Sequence, residues 1–418
     1  MICNFITPEM LAVMSNIKTK QIEKLLRVGD SYTESDVLQD SEINLDNLPR
    51  DILETIVQNY QKLQPSKYVL RDWVPKDKLD WFILSGNNAA TELLMEQADY
   101  ENSLSQEEYD KLEKEKKISW MRLCNNEEGS KILKKYPSKI LWSYLSNNSK
   151  QQAVDMLKER MEYEKINVPD IEEHNRIWYN AFCYNENPEI MELVKERIEY
   201  EIRLEDEDIE IADILDWSYL SANPSAIDLL KSNIDMIDWV SLSTNTNPRA
   251  IDLLRERVKE ENKMSKKHYK IWRNKIDWDV LSGNPIAIDL LRENPHKINW
   301  VYLSGNPSAI DLLRENPHKI NWEYLSGNPS AIKFLEEYPN AIDWSMLSKN
   351  PNAIELLKAN RAKINWNALC LNNNAFDLIK ERYEYEISLT PKEYKQLKYR
   401  NKLDWKLLSK NKGLFVAV

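Results

Sequence analysis

The chain has 418 residues, of which 42% are hydrophobic and 30% are charged, as is usual for a folded protein with a large core. Its formal net charge of −11 argues against a nucleic-acid partner, because nucleic acids are bound by basic surfaces. Only 7 glycines argue against a glycine-rich phosphate loop, and no apolar run approaches the roughly 20 residues of a membrane span.

The cysteines and the first residues bear on the compartment. Cys3, Cys124, Cys183 and Cys370 are scattered without paired spacing, which predicts free thiols in a reducing compartment and no zinc site. The N-terminal residues lack the basic and apolar regions of a signal peptide. We therefore expect a cytoplasmic protein without a membrane association.

Residues 1–66 differ from the rest of the chain. Residues 8–26 predict a helix, residues 30–40 an acidic loop, and the alternation around Ile43 a short strand. Residues 51–60 then predict an amphipathic helix, on which three apolar side chains lie in line: Ile52, Ile56 and Tyr60. The sequence thus predicts a small α/β or helical N-terminal domain.

This order of elements resembles the core of the elongin C, Skp and BTB/POZ family of cullin adaptors. The resemblance covers about 60 residues and depends on the stretch Ile-Asn-Leu-Asp-Asn-Leu-Pro-Arg-Asp-Ile-Leu at residues 43–53. The first strand and the C-terminal helices of that family have no counterpart here. The segment Leu-Pro-Arg-Asp-Ile-Leu at residues 48–53 also resembles the opening of an F-box. The adaptor resemblance implies docking to a cullin-type ubiquitin ligase, and the F-box is a competing resemblance. The alternative to both is a helical cap that shields the first repeat.

Residues 67–418 contain a tandem repeat. Tryptophans recur at a step of 22 residues at positions 278, 300, 322, 344 and 366, within the pattern Lys-Ile-Asp/Asn-Trp-x-x-Leu-Ser-Gly-Asn-Pro-x-Ala-Ile-x-Leu-Leu. In one copy, Asn299 caps a short helix, Gly305 ends it with the freedom to adopt positive φ, and Asn306-Pro307 begin a second helix that stops at Asn316-Pro317. Such a period predicts an all-α solenoid of about twelve two-helix repeats, with the tryptophans in its core.

The same register extends outward from these copies. It continues through Trp81, Trp120, Trp142, Trp178, Trp217, Trp239 and Trp405, with several steps lengthened to about 39 residues. In the long copies the Asn-Pro stop is absent, so the second helix is predicted to run on. The added residues at 103–109 and 388–394 each contain a capping box, Ser105 with Glu108 and Thr390 with Glu393. We expect helical hairpins on one edge, which serve either as a binding side or as a solvated charged edge.

The repeat block resembles the Trp/Leu-Ser-Gly-Asn-Pro arrays that occur in many copies in giant double-stranded DNA viruses. The resemblance spans roughly residues 79–411 and rests on the Leu-Ser-Gly-Asn-Pro-x-Ala-Ile core. It implies that the compartment is a host cytoplasm or a virion.

The residues show no pattern typical of catalysis. His296 and His318 are copies of one repeat position, and no His-x-x-x-His, Cys-x-x-Cys or Gly-x-Ser-x-Gly motif occurs. We therefore expect no enzyme, no metal and no cofactor.

These observations predict a protein–protein interaction scaffold of unknown oligomeric state. The specific hypothesis is a substrate-recruiting adaptor of a cullin-type ubiquitin ligase, and the alternative is a structural or virion-associated repeat protein. Contact residues within the array are predicted at variable positions just after the buried tryptophan: Val301, Tyr302, Glu323 and Tyr324.

Overall fold

A computed structural model describes residues 67–167, 176–203, 214–265, 267 and 274–418. Within these ranges, Tyr68–Val416 form one compact unit. Its regular elements are helices apart from one two-stranded sheet, which confirms the all-α prediction. The predicted N-terminal domain, including its resemblance to cullin adaptors, lies outside the described residues.

Twelve repeats follow one another, each beginning with a short first helix. These helices span Trp81–Leu84, Trp120–Cys124, Trp142–Leu145, Tyr179–Phe182, Trp217–Ala222, Trp239–Leu242, Trp278–Gly283, Trp300–Gly305, Trp322–Gly327, Trp344–Lys349, Trp366–Leu369 and Trp405–Leu408. We number the repeats 1 to 12 in this order.

A second helix follows in repeats 1 to 11. These helices span Thr91–Ser103, Ser130–Lys135, Gln151–Asn167, Pro188–Glu201, Ile227–Ser232, Ala250–Lys263, Ile288–Glu293, Ile310–Glu315, Ile332–Glu337, Ile354–Ala359 and Phe376–Ser388. The longer ones belong to repeats 1, 3, 4, 6 and 11, where the Asn-Pro stop is missing, as predicted. Two further helices, Gln106–Lys111 and Pro391–Gln396, follow the long second helices of repeats 1 and 11 and have the predicted capping boxes.

Apolar side chains fill the space between the two helices of a repeat and between neighbouring repeats. In repeat 8, Leu303, Ala309 and Leu313 are fully buried, and Trp300 packs against the same core. One assignment was wrong by one residue: Trp178 is 46% exposed and caps the first helix of repeat 4, while Tyr179 occupies the tryptophan position. The glycine prediction was also wrong, because no described glycine has a positive φ.

A ladder of buried asparagines joins successive repeats. Asn306 Nδ2 donates hydrogen bonds to the carbonyl oxygens of Ser282 (3.0 Å) and Asn284 (2.9 Å) in the preceding repeat. Asn306 Oδ1 accepts from the backbone N–H of Ser308 at 2.9 Å. The same double donation is made by Asn148, Asn185, Asn223, Asn245, Asn284, Asn328, Asn350, Asn372 and Asn411. Each asparagine therefore satisfies buried backbone groups of two repeats.

The twelfth repeat packs on the first in the same way. Asn87 Nδ2 donates to the carbonyl oxygen of Ser409 at 3.2 Å, and the N–H of Asp80 donates to Ser409 Oγ at 2.9 Å. Lys78 Nζ lies 5.4 Å from the centre of the Trp405 ring. These contacts reproduce those between successive repeats elsewhere, so the array closes on itself instead of ending in two free faces.

Short strands accompany this closure. β1 (Tyr68–Leu70) pairs with β2 (Phe415–Ala417) in the one sheet of the described residues. The N–H of Arg71 donates to the carbonyl oxygen of Leu414 at 2.9 Å, and Arg71 Nε donates to that of Gly413 at 2.8 Å. A Cβ atom at Gly413 would overlap with the carbonyl oxygen of Asn373, which explains a glycine at this point.

The first helices of neighbouring repeats pack against one another. In repeats 7 to 10, each first helix packs directly against the first helix of the next repeat, whereas the second helices do not approach one another as closely. The exposed side chains of the first helices therefore lie next to one another on successive repeats.

Candidate protein-binding face

Capping residues fix the orientation of each first helix. Asn299 Oδ1 accepts hydrogen bonds from the N–H groups of Val301 (3.0 Å) and Tyr302 (3.4 Å). The helix then directs Trp300 and Leu303, three residues apart, toward the core. The two positions between them consequently point away from the core, and this is how the fold exposes them.

The structure brings the four predicted array residues together. Val301 and Tyr302 are 39% and 44% exposed, and Tyr324 is 40% exposed. The rings of Tyr302 and Tyr324, from successive repeats, have centroids 6.2 Å apart and meet edge to face. Glu323 is exposed at the position equivalent to Val301. The other predicted contact residues, Ile52, Ile56 and Tyr60, lie outside the described residues.

The same two positions continue the row in repeats that the sequence analysis did not single out. Tyr144 of repeat 3 and Val240 of repeat 6 are 39% and 38% exposed. Tyr219 of repeat 5 packs on the exposed Tyr184, with ring centroids 4.0 Å apart. Burial and a hydrogen bond with Tyr219 raise the pKa of Tyr184 above its ordinary value. Val240 lies one residue after the ring position and Tyr144 and Tyr219 lie two residues after it, and these offsets are the signal that could have identified them. Tyr184 lies outside these offsets and joins the row through its contact with Tyr219.

We call these side chains the first-helix row: Tyr144, Tyr184, Tyr219, Val240, Val301, Tyr302, Glu323 and Tyr324. A shallow depression of about 300 Å³ interrupts the row between repeats 6 and 8 and is lined by Thr244, Thr246, Val280, Gly283, Asn284, Pro285 and Tyr302. A Cβ atom at Gly283 would lie 3.9 Å from Tyr302 Cβ, which is an ordinary van der Waals distance.

The first-helix row as defined above contains one charged member, Glu323. At the same offset, the first helices of repeats 7 and 12 carry the exposed Asp279 and Lys406, which lie outside the row. The second helices, by contrast, are linked by exposed ion pairs between neighbouring repeats, such as Arg292 with Glu315 and Arg314 with Glu337. An aromatic, weakly charged surface is the kind that protein interfaces use at their centres, because it loses little hydration on burial.

The three described cysteines lie at a buried position of the repeat pattern. Cys124, Cys183 and Cys370 are buried and replace the serine of the repeat pattern in repeats 2, 4 and 11. Burial raises the pKa of the Cys124 thiol to about 11 and that of Cys370 to about 12. Both thiols stay protonated near neutral pH, and they accept hydrogen bonds from the N–H groups of Leu141 and Asp404.

The described ranges contain neither a metal-binding cluster nor a membrane-spanning helix. No group of three or more His, Cys, Asp or Glu side chains there is arranged to hold a metal ion. Among the same residues, no helix combines the length and the hydropathy that crossing a bilayer requires.

Comparison with other proteins adds no relative. No known protein family, curated protein or solved structure matches this chain significantly.

Proposed function

We propose that this chain is a non-enzymatic scaffold that binds other proteins through the first-helix row. The observation that carries the proposal is the exposure of Tyr302 and Tyr324, in contact with each other on successive repeats. Tyrosine is enriched at the energetically dominant positions of protein interfaces because it combines a large apolar area with a hydroxyl group.

The scaffold itself favours binding. Buried asparagines connect each repeat to the next, so the rows on neighbouring repeats are held in fixed register. A preorganised surface binds more tightly than a flexible one, since fewer side chains lose conformational entropy on association. The closed array therefore supports a binding function more strongly than a storage or linker function.

A narrower form of the proposal is an adaptor that brings a target to a cullin-type ubiquitin ligase. It is supported by the resemblance of residues 1–66 to cullin adaptors, with Ile52, Ile56 and Tyr60 as the expected contacts. The alternative is a structural protein of a giant-virus particle, supported by the resemblance of the repeats. The host cytoplasm or the virion is the compartment that these two proposals imply.

Affinity purification with mass spectrometry tests the proposal. The full chain is compared with Tyr302→Glu/Tyr324→Glu, which places two charges on the row, and with Ser308→Glu/Ser330→Glu. The latter pair adds the same charges at exposed positions after the asparagine, away from the row. We expect specific partners to be lost with the tyrosine variant and retained with the serine variant. Equal recovery of all partners with both variants would overturn the proposal.

A deletion of residues 1–66 separates the narrower alternatives. Cullin or ligase components that are lost on deletion, but retained by the tyrosine variant, would support the adaptor form. Recovery of capsid proteins by every variant, without ligase components, would contradict the adaptor form and favour a structural protein.

A further inference from the structure

Two of the helical extensions have the same architecture. We call residues 104–117, after repeat 1, the mixed extension, and residues 389–402, after repeat 11, the basic extension. Each begins with a complete capping box. In each, a lysine lies over the tyrosine of the short helix, Lys117 at 4.5 Å from the Tyr109 ring and Lys402 at 4.6 Å from the Tyr394 ring.

Both extensions are also anchored in the same way at their ends. Glu101 Oε1 accepts a hydrogen bond from the N–H of Ile118 at 2.8 Å, and Glu386 Oε1 accepts one from the N–H of Leu403 at 2.8 Å. The two backbones are therefore matched from the long second helix to the start of the next repeat, and side chains at equivalent positions can be compared directly.

Four equivalent positions differ in the sign of their charge. The mixed extension has Glu107, Asp110, Glu113 and Glu115 where the basic extension has Lys392, Lys395, Lys398 and Arg400. The basic extension contains five basic residues and one acidic residue, in a chain whose net charge is −11. Packing does not require this reversal, because the same architecture forms with acidic residues.

The charges of the two extensions also differ in how far they are compensated. In the mixed extension, Glu107 pairs with Lys111 at 2.6 Å, and Asp110 accepts a hydrogen bond from Gln106 at 2.8 Å. In the basic extension the four side chains are exposed and make no ion pair with the part of the chain that the structure describes: Lys392, Lys395, Lys398 and Arg400. The extension thus presents a local positive potential to solvent.

Large apolar side chains accompany these charges. Tyr399 lies between Lys398 and Arg400 and is 70% exposed, and its hydroxyl donates to Asp404 Oδ2 at 3.2 Å. Ile387, at the end of the preceding helix, is 59% exposed. The positive charges can attract an oppositely charged partner during its approach. The exposed ring and the aliphatic side chain can then form apolar contacts from which water is excluded.

We propose that the basic extension binds an acidic segment of a partner protein. This proposal rests on the protein-binding function proposed above and names a second surface for it. Charge complementarity identifies the partner, and a peptide suits the site better than a nucleic acid. A nucleic acid would extend its closely spaced phosphates over the exposed Glu393 within the extension and over the exposed Glu384 of the preceding helix.

A fluorescein-labelled octaglutamate peptide is the probe, and binding to the full chain is measured by fluorescence anisotropy at low salt. The test variant is Lys392→Glu/Lys395→Asp/Lys398→Glu/Arg400→Glu, which takes its residues from the mixed extension and therefore suits the same backbone. We expect its affinity for the peptide to fall at least tenfold, with an unchanged circular dichroism spectrum. The reciprocal variant, Glu107→Lys/Asp110→Lys/Glu113→Lys/Glu115→Arg, should gain a second binding site.

Three results would overturn this proposal. They are no binding of octaglutamate by the full chain, equal affinity in the wild-type and charge-reversed proteins, and tighter binding of an eight-nucleotide oligothymidylate than of octaglutamate. The general scaffold function is tested separately, because the charge-reversed variant keeps the first-helix row. Partners that depend on Tyr302 and Tyr324 but not on the basic extension would leave that function standing while this proposal fails.

Discussion

The short repeats 7, 8 and 10 and the long repeats 3, 4, 6 and 11 cover the aromatic ring of the first helix with different cations. In these short repeats a lysine from the turn before the next first helix lies over the ring, as Lys319 does at 4.3 Å from Trp300. Repeat 9 has Ala341 at this position, and Tyr338 packs on its Trp322 instead. In the long repeats an arginine of the extended second helix lies over the ring, as Arg160 does at 5.0 Å from Trp142. The longer second helix thus supplies its own cation in place of the lysine.

The arginine of a long repeat requires a further group. Arg160 is nearly buried, and Arg160 Nε donates to Glu164 Oε1 at 2.9 Å. Glu164 also accepts a hydrogen bond from the N–H of Ile177, two residues before the next ring position. A buried cation is tolerated only when it is paired, and the pair here also anchors the extension to the next repeat.

Repeat 1 is the exception among the long repeats. Gln97 replaces the arginine and donates from Nε2 to Glu101 Oε1 at 3.0 Å. Glu101 Oε2 is buried without a hydrogen-bond partner among the described residues. Burial raises the pKa of Glu101 above its ordinary value of 4.5, as it also does for the arginine-paired Glu261 and Glu386. The anchoring glutamate is therefore paired with an arginine in repeat 3, whereas in repeat 1 a neutral glutamine takes the place of that arginine.

The largest effect is expected from the asparagine ladder, which both kinds of repeat share. Asn328→Ala in a short repeat and Asn185→Ala in a long one each remove two donated hydrogen bonds and one accepted bond. Each should lower the free energy of unfolding by about 3 kcal/mol, because buried carbonyl groups lose their partners. Urea unfolding followed by tryptophan fluorescence measures this.

Asn352→Ala is the control for the ladder, since Asn352 is an exposed asparagine that donates to the carbonyl oxygen of Pro329. It should cost less than about 1 kcal/mol. A much smaller effect at Asn185 than at Asn328 would show that the long repeats do not depend on the ladder.

The second largest effect on stability is expected from the glutamates that anchor the helical extensions. Its sign should differ between repeat 3, where the glutamate is paired with an arginine, and repeat 1, where it is not. Glu164→Gln replaces the carboxylate that pairs with the nearly buried Arg160 by a neutral amide and should lower the free energy of unfolding by about 2 kcal/mol. Glu101→Gln removes a poorly compensated charge and keeps an oxygen acceptor for Ile118, so it should not destabilise the protein near pH 7. Destabilisation by both substitutions to the same extent would contradict this distinction.

The pH dependence of the free energy of unfolding tests whether the charge of Glu101 destabilises the folded protein. Since the folded-state pKa lies above 4.5, the unfolded chain loses this proton first as the pH rises. The contribution of Glu101 to stability therefore falls as pH increases from 4.5 through the folded-state pKa. Urea unfolding at several pH values should show Glu101→Gln gaining stability relative to the wild-type protein over this window, with no gain below it.

The closure of the array predicts a third, smaller effect. Ser409→Ala removes the acceptor for the N–H of Asp80, and Ser326→Ala removes the acceptor for the N–H of Asp343 at an internal junction. Both should cost about 1 to 2 kcal/mol, because each leaves a backbone donor unpaired between repeats. In an open array Ser409 would have no such donor, so a negligible cost at Ser409 beside a normal cost at Ser326 would refute closure.

The sequence predicted the elements of a repeat but not how the repeats join. The period and the Asn-Pro stop were sufficient for the two helices and for the helix extensions, because these depend on local residue preferences. Asn306 was interpreted only as a helix cap, although its amide group was free to donate to the preceding repeat. Closure could not be predicted, since it depends on the summed curvature of twelve interfaces.

The exposed positions of the candidate site were predicted in part for a similar reason. Val301 and Tyr302 were singled out because they vary next to a repeated tryptophan, whereas Tyr144 and Tyr219 lie in less regular copies, and a binding role of any of them stays a prediction. Trp178 was misassigned because an aromatic residue precedes the true ring position. The buried Ile177, two residues before Tyr179, indicates the correct register, as Ile298 does before Trp300.

The smallest effect concerns the cation over the tryptophan ring of a short repeat. Lys319→Met keeps an apolar chain near Trp300 but removes the charge, and should cost about 0.5 kcal/mol, as is typical of a partly exposed cation–π contact. Lys333→Met is the control, because Lys333 is an exposed lysine of a second helix. In a long repeat the corresponding arginine is also paired with a buried glutamate, so Arg160→Met should cost several times more than Lys319→Met. Equal costs in urea unfolding would mean that the two kinds of repeat use the cation only to cover the ring. A larger cost at Arg160 would show that the extension is held to the next repeat through its ion pair.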